Sequence, residues 1–434
     1  MAIKMKVPTL KMPRPTRKRT VKGMALTNGA SKEHGHPSSD PDKSFIEFFA
    51  GIGLVDEGLR PSGWRCIYAN DNDARKQAMH AARNGPVPHY HLEDVEKTAK
   101  IAEHITGVPF LATASFPCTD LSVAGHYRGF DGRHSSTFFA FADVLQALGK
   151  RRPKVVMLEN VVGFLSARKG DDFTAAVRKL AGLGYWMDAF VLNAANFVPQ
   201  SRPRVFVIAK SPELLPPNNG RDPSCPFSSL EASPIRPAPI LHFMKTVELP
   251  TGWSPQELPL PPKRRTTLED FIDLDDAQEW WESDQVERHY KMMSNLHRRQ
   301  VDVLLATRTS FLGTIFRRIR QEVQRAEVRF DGLAGCLRTP KGGSGRQIII
   351  ASADGRLRMR WMSAREYARL QGAPDFPLTL PCNQLLFGFA DAVCVPAIQW
   401  IDKHVLTPLY ESAHPATGND KCRTTSRLTN AVRR

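Results

Sequence analysis

Between Ser44 and Lys210 short apolar runs alternate with helix-like stretches, and this alternation constrains the fold more than any other feature of the chain. The runs are FIEFF, CIYAN, FLATAS, VVMLEN and RVFVIA, and between them lie stretches such as STFFAFADVLQALGK and DDFTAAVRKLAGLG. Near-continuous apolar runs suit strands buried on both faces, and the stretches between them suit crossover helices. The expected class is therefore α/β with a mostly parallel sheet over residues 44–210. In such a sheet ligands bind beyond the carboxyl ends of the strands.

Composition divides the rest of the chain. Residues 1–43 are rich in Lys, Pro, Ser and Gly without a sustained period and read as a flexible basic arm; 413–434 read as a basic tail. The formal charge is +16, and the tails carry most of it: residues 1–43 hold ten Lys/Arg against three Asp/Glu, and 415–434 hold five against one. Solvated ends and ends that track a polyanion both fit that charge. Thirteen of the 33 prolines fall within 211–262, which excludes continuous regular structure there and marks a loop-rich insertion or a crossing between domains. Residues 288–330 hold ten basic against three acidic side chains, and FRRIRQEVQR within them permits a helix with a basic face. Two more helices are expected beyond Trp361, the second starting near Ala390–Ala392 with Asp391 as its cap. The seven cysteines are odd in number and contain no C-x-x-C pair, which argues against a disulfide framework and against a zinc site; no metal is expected. The basic N-terminus lacks a following apolar segment, and no run approaches the roughly 18 apolar residues of a spanning helix, so a cytoplasmic chain without membrane contact is expected.

Four strand ends carry chemistry. FIEFF runs into Ala50-Gly51-Ile52-Gly53 and then a helix, a turn in which small residues let the backbone approach a ligand. A dinucleotide fingerprint would want a third small residue at Asp56, so the ligand has few phosphates or none. Asp71 ends the next run, twenty residues beyond Gly51, the spacing at which a carboxylate receives ribose hydroxyls. Cys118 follows the third run in a loop fixed by Pro117, so its thiol faces the same crevice; an inert core cysteine is the plain alternative. VVMLEN emits Glu159, whose carboxyl, beside a thiolate and partly desolvated, would keep its proton. Arg202 and Arg204, two apart as they enter the last run, project to one face and suit a carbonyl oxygen or a thiolate.

In this order the motifs resemble those of the DNA (cytosine-5)-methyltransferases of bacterial and phage type. FAGIG resembles the family's first motif, FPC its nucleophile loop, ENV its glutamate motif, QSRPR its Q-x-R-x-R motif and GFADAVCVP, from Gly388, its tenth. The resemblance implies a Rossmann-like, S-adenosylmethionine-dependent methyltransferase fold, with a catalytic domain over 44–210, a smaller target-recognition domain over 211–380 and a C-terminal helical region over 381–412 that returns to the catalytic domain. It places the cofactor against Phe49, Ala50, Gly51, Ile52, Gly53, Asp71, Asn72, Asp94, Pro117, Asp391 and Ala392. It makes Cys118 the nucleophile that attacks cytosine C6, with Glu159 on the N3/N4 edge, Arg204 near O2 and Arg202 in support. Because that attack is impossible inside a duplex, the base must be flipped out. Arg338, Thr339 and Ser344 of GCLRTPKGGSGRQ would touch DNA. Implied partners are double-stranded DNA and, where one exists, a restriction endonuclease of the same specificity, with the chain acting as a monomer. The sequence departs from the family at Thr119, Asn72 and Asp391-Ala392, where Gln, an aromatic residue and Asn-Ser or Asn-Ala are usual. A transfer-RNA methyltransferase of the same fold and a catalytically dead DNA-binding homologue are the alternatives.

Overall fold

The computed structural model describes residues 43–117, 137–215, 231–275, 278–308, 310–340, 345–353 and 355–415. In these residues the main sheet has seven strands, β1 (Ser44–Phe48), β2 (Arg65–Asp71), β3 (Tyr90–Leu92), β4 (Leu111–Ala114), β5 (Val155–Val161), β6 (Trp186–Asn193) and β7 (Pro203–Lys210). Their order is β3-β2-β1-β4-β5-β7-β6. Strands β1 to β5 pair in parallel, and β7 lies antiparallel between β5 and β6. The five apolar runs thus became β1, β2, β4, β5 and β7. Strand β3 is too short to show a period, and β6 is interrupted by Asp188, which is fully buried and takes two 3.0 Å bonds from the Arg236 guanidinium. The sheet reverses its winding between β1 and β4, which opens the crevice beyond their carboxyl ends.

Helices α1 (Leu54–Leu59), α2 (Ala74–Asn84) and α3 (Thr98–His104) follow β1, β2 and β3, while α4 (Thr137–Ala147) and α5 (Asp171–Gly182) flank β5. All five residues of β1 and all four of β4 are buried, as central strands covered on both faces must be.

The loop-rich region carries α6 (Ala238–Thr246), α7 (Ser283–Lys291) and α8 (Asn295–Ala306) and a second sheet, all antiparallel, in the order β11-β10-β8-β9. Its strands are β8 (Phe311–Arg320), β9 (Val323–Arg329), β10 (Ile348–Ala353) and β11 (Arg356–Trp361). The basic segment FRRIRQEVQR is therefore a hairpin and not a helix. Gln321 and Glu322 turn the chain with φ of 48° and 62°, the left-handed pair a two-residue hairpin turn requires, and β8 gains a second partner in β10. That pairing overrides a helix-permitting composition.

The C-terminal region also differs from expectation. Ser363 starts α9 (Ala364–Leu370) with a capping box to Glu366. Asp391 is not a cap but the last residue of α10 (Cys382–Asp391), and the next helix, α11 (Val395–Ile401), starts after Cys394. Ala392 is extended, and Pro396 sits in the first turn of α11, where its missing N–H costs nothing. The helical stretch Cys382–Ala413 has the length and composition to cross a membrane, but 67% of its most apolar window is buried inside the fold. Helix α10 crosses α2 so closely that a Cβ on Gly388 would lie 2.4 Å from Met79 Sδ.

Gly388→Ala is accordingly expected to destabilise the fold by about 1–3 kcal/mol, the ordinary cost of overpacking. Urea unfolding measures it, and a second change, Met79→Ala, should return part of the loss; an unaltered midpoint for Gly388→Ala would contradict the close crossing.

Candidate active site

The turn after β1 is built from left-handed residues. Phe49, Gly51 and Gly53 have φ of 56°, 59° and 81°. A non-glycine residue held there stores about a kilocalorie of strain or more, which surrounding contacts must hold in place. They are visible: Ala50 N–H donates to Asn70 O at 2.8 Å, Gly51 N–H to Asp71 Oδ2 at 3.0 Å, and the Tyr90 hydroxyl to Gly51 O at 2.8 Å. Ala50 and Ile52 are buried beneath the turn, and a Cβ on Gly53 would lie 2.6 Å from the His80 ring. The turn therefore stands on β2 and α2 as well as on its own strand.

Acidic groups crowd this end of the sheet. Asp71 is buried at the tip of β2, and its other oxygen accepts from Asp73 N–H at 2.9 Å. Burial raises its pKa above the ordinary aspartate value, against the lowering effect of Lys76 and the two amides. Glu47 in β1 is buried and raised well above its usual range, by desolvation first and by Asp56 next. Asn72 is exposed; Asp94 is half-buried just after β3 and accepts from Glu96 N–H at 3.1 Å. Asp391 reaches back from the end of α10 to pair with Lys76 Nζ at 3.0 Å. Ala392 is half-buried beside it, its carbonyl taken by Arg202.

A second cluster lies where β5 and β7 end. Glu159 is buried, and its Oε1 meets Arg204 Nε at 2.9 Å. The neighbour of this carboxylate among the described residues is a guanidinium and not a thiolate, since Cys118 lies outside them. Pro117, half-buried, is the last residue described before it. The loop carrying Pro117 is tied to the cluster, because Asn160 Nδ2 donates to Phe116 O at 3.3 Å. Arg202 is buried and bonds Leu337 O at 3.3 Å, Ala392 O at 2.7 Å and Cys336 Sγ at 3.5 Å. Arg204 Nη2 reaches the same sulfur at 3.8 Å. Both arginines do face one side, and what they share is Cys336, which the sequence reading passed over although it lies two residues before Arg338. Burial raises the Cys336 pKa, but Arg202 and Arg204 outweigh it and leave the thiol below its ordinary value.

The expected DNA contacts are less concentrated. Arg338 is exposed and Thr339 half-buried; Ser344 lies outside the described residues. The four-stranded sheet instead displays arginines stacked on aromatic rings: Arg317 and Arg346 over Trp361 at 4.8 and 5.2 Å, and Arg358 over Trp280 at 4.1 Å. Among the described residues one group of potential metal ligands lies together, His91, Glu93 and His104. Its carboxylate is already bonded by Tyr68 Oη and His104 Nδ1 at 3.0 Å each and by Lys100 Nζ at 3.2 Å.

The sheet switches winding at a glycine turn, with buried Asp71 on one side and the Glu159–Arg204 pair on the other, the layout of an α/β fold with two polar clusters at its strand ends. Residues 43–407 match the C-5 cytosine-specific DNA methylases, and the chain belongs to that family. The Type II methyltransferase M.HhaI of Haemophilus parahaemolyticus is 32% identical over 166 residues, 38% of this chain and 48% of the relative. The corresponding figures for M.BsuFI of Bacillus subtilis are 32% over 172 residues, with 39% and 40% covered, so these matches span under half the length of either relative. M.HaeII of Haemophilus aegyptius matches over more, 84% of this chain and 93% of its own, at 23% identity. Among solved structures, the Entamoeba histolytica methyltransferase EhMeth shares the fold with a TM-score of 0.56 at 14% identity, covering 84% of this chain and 98% of its own.

The Cys336 environment makes a pH-dependent prediction. A depressed pKa leaves thiolate present at pH values where an ordinary thiol of pKa about 8.5 is protonated. Iodoacetamide labelling of a Cys118→Ala variant, followed by peptide mass spectrometry, should show Cys336 reacting with a midpoint below that value, and Arg204→Met should raise it. Cys394, which burial pushes up to about 12, should stay unlabelled. A Cys336 midpoint at or above the ordinary value would contradict the paired guanidiniums.

Proposed function

We propose that the chain transfers a methyl group from S-adenosylmethionine to C5 of a cytosine within double-stranded DNA. The observation that carries this reading is the Glu159–Arg204 pair at 2.9 Å, set beside the loop that leads into Cys118 and tied to it through Asn160 and Phe116. A carboxyl group accepts from the cytosine N4 amine and, when protonated, donates to N3, while the guanidinium beside it donates to O2, so the pair complements that edge of the base.

The β1 turn fits the cofactor. Its left-handed glycines bring bare backbone to the ligand, and the acidic lining suits a sulfonium and an ammonium better than a pyrophosphate. Phe49, Ala50, Gly51, Ile52 and Gly53 would cradle it, with Asp71 and Asp94 toward the nucleoside and Pro117, Asp391 and Ala392 closing the crevice; Asn72 borders it. When bound, the cofactor supplies an electrophilic methyl group.

The chain's own residues do the rest. Cytosine C5 is too weak a nucleophile until C6 is attacked, so the Cys118 thiolate adds to C6 and pushes electron density onto C5. Glu159 holds the N3/N4 edge as this charge develops, and Arg204 stays on the O2 side, kept there by Glu159 and Cys336. Arg202 acts through structure, fixing the Leu337 and Ala392 carbonyls. Loss of the C5 proton then expels the thiol. The base must leave the helix for any of this to happen. Exposed arginines on the four-stranded sheet, with Arg338, Thr339 and Ser344, would hold DNA phosphates. We place the enzyme in the cytoplasm as a monomer, with or without a restriction endonuclease of matching specificity.

Labelled cofactor offered with duplex DNA or with transfer RNA tests the reading. Wild type should label DNA. Cys118→Ala should abolish transfer, and Glu159→Gln should lower kcat by about two orders of magnitude or more, the usual cost of losing a positioned catalytic acid or base. Label on RNA alone, or full activity in Cys118→Ala, would overturn it.

A further inference from the structure

Acidic side chains stand around the β1 turn, with Glu47 and Asp71 buried beside it and Asp391 reaching Lys76. S-adenosylmethionine has two cationic groups and one carboxylate, and the acids around the β1 turn answer only the former. The usual anion site in such a fold, the N-terminus of the first helix, is poorly equipped here. Helix α1 carries Asp56 and Glu57 in its first turn, a poor setting for an anion.

Lys76 supplies what α1 lacks. It lies on α2 with its side chain 22% exposed, and a Cβ on Gly51 would sit 4.0 Å from its Cδ, so the stem runs along the turn itself. Its ammonium is paired to Asp391 at 3.0 Å. Burial alone would lower its pKa, yet Asp391 and Asp71 outweigh that and hold it above the ordinary lysine value. An ammonium has three donors and can serve two carboxylates at once. Asp391 is 46% exposed, and without the Lys76 ammonium its bare carboxylate would repel any other carboxylate approaching the β1 turn.

We infer that Lys76 recognises the amino-acid carboxylate of S-adenosylmethionine and that Asp391 holds its ammonium at the mouth of the β1 turn for that purpose. The inference rests on the proposed cofactor site and adds to it a residue that no motif marks. Lys76 also neutralises Asp391, which would make the two positions dependent on each other.

Calorimetric binding of two nucleosides to the full chain separates carboxylate recognition from scaffolding. S-adenosylhomocysteine keeps the amino-acid carboxylate; 5′-methylthioadenosine lacks it. Lys76→Met should weaken S-adenosylhomocysteine about ten-fold, the loss of one charge-assisted bond, while leaving methylthioadenosine within about two-fold. Lys76→Arg should keep most of the difference between the two ligands. In an Asp391→Asn background, Lys76→Met should cost less, because no unpaired carboxylate remains. Equal losses for both ligands, or none for S-adenosylhomocysteine, would overturn the inference. Wild-type protein that binds neither nucleoside would overturn the cofactor site itself, and this inference with it.

Discussion

Two guanidiniums at the start of an inner strand, one buried and one largely so, must be matched by acceptors, and the arrangement of this molecule follows from how Arg202 and Arg204 are matched. Arg202, buried, takes carbonyls from residues 337 and 392, so one side chain just before β7 fastens both the segment after β9 and the break before α11 to the main sheet. Arg204 takes Glu159 and the Cys336 sulfur. Removing either arginine would strand buried acceptors, the situation in which a buried polar contact costs several kilocalories rather than one. Chain segments more than a hundred residues apart are thereby held to the same few ångströms.

The β1 turn depends on a different device, backbone strain supported from outside. Phe49 holds a left-handed conformation because Asp71, Tyr90 and Asn70 bond its neighbours in the turn. Met79 and Gly388 let α10 come close enough to α2 for Asp391 to reach Lys76. Both halves of the site therefore rely on the C-terminal helices, which close the sheet after an intervening stretch of about the length of a small domain.

Much of this was legible in the sequence where the signal is local. Five strands showed as apolar runs, the glycine turn as small residues after one of them, and Asp71, Glu159, Arg202 and Arg204 as polar residues at strand ends. The signals failed where structure depends on partners distant in the chain. FRRIRQEVQR satisfies a helix pattern, and only pairing with β10 and the left-handed Gln321-Glu322 turn make it a hairpin. Asp391 has the chemistry of a cap and ends a helix instead. Lys76 and Cys336 belong to no motif; their significance comes from meeting Asp391 and the two arginines across the fold. Asn160 was visible beside Glu159, yet its bond to Phe116 could not be read from spacing.

Beside the proposed nucleophile Cys118, which lies outside the described residues, the chain holds a second candidate thiol in Cys336, lowered in pKa by both arginines. Only one can carry the pyrimidine. A duplex containing 5-fluorocytosine at the methylated position blocks release of the adduct, and peptide mapping of the trapped complex identifies the sulfur. The account predicts a cross-link at Cys118 with Cys336 unmodified; a cross-link at Cys336, or none with cofactor present, would contradict it.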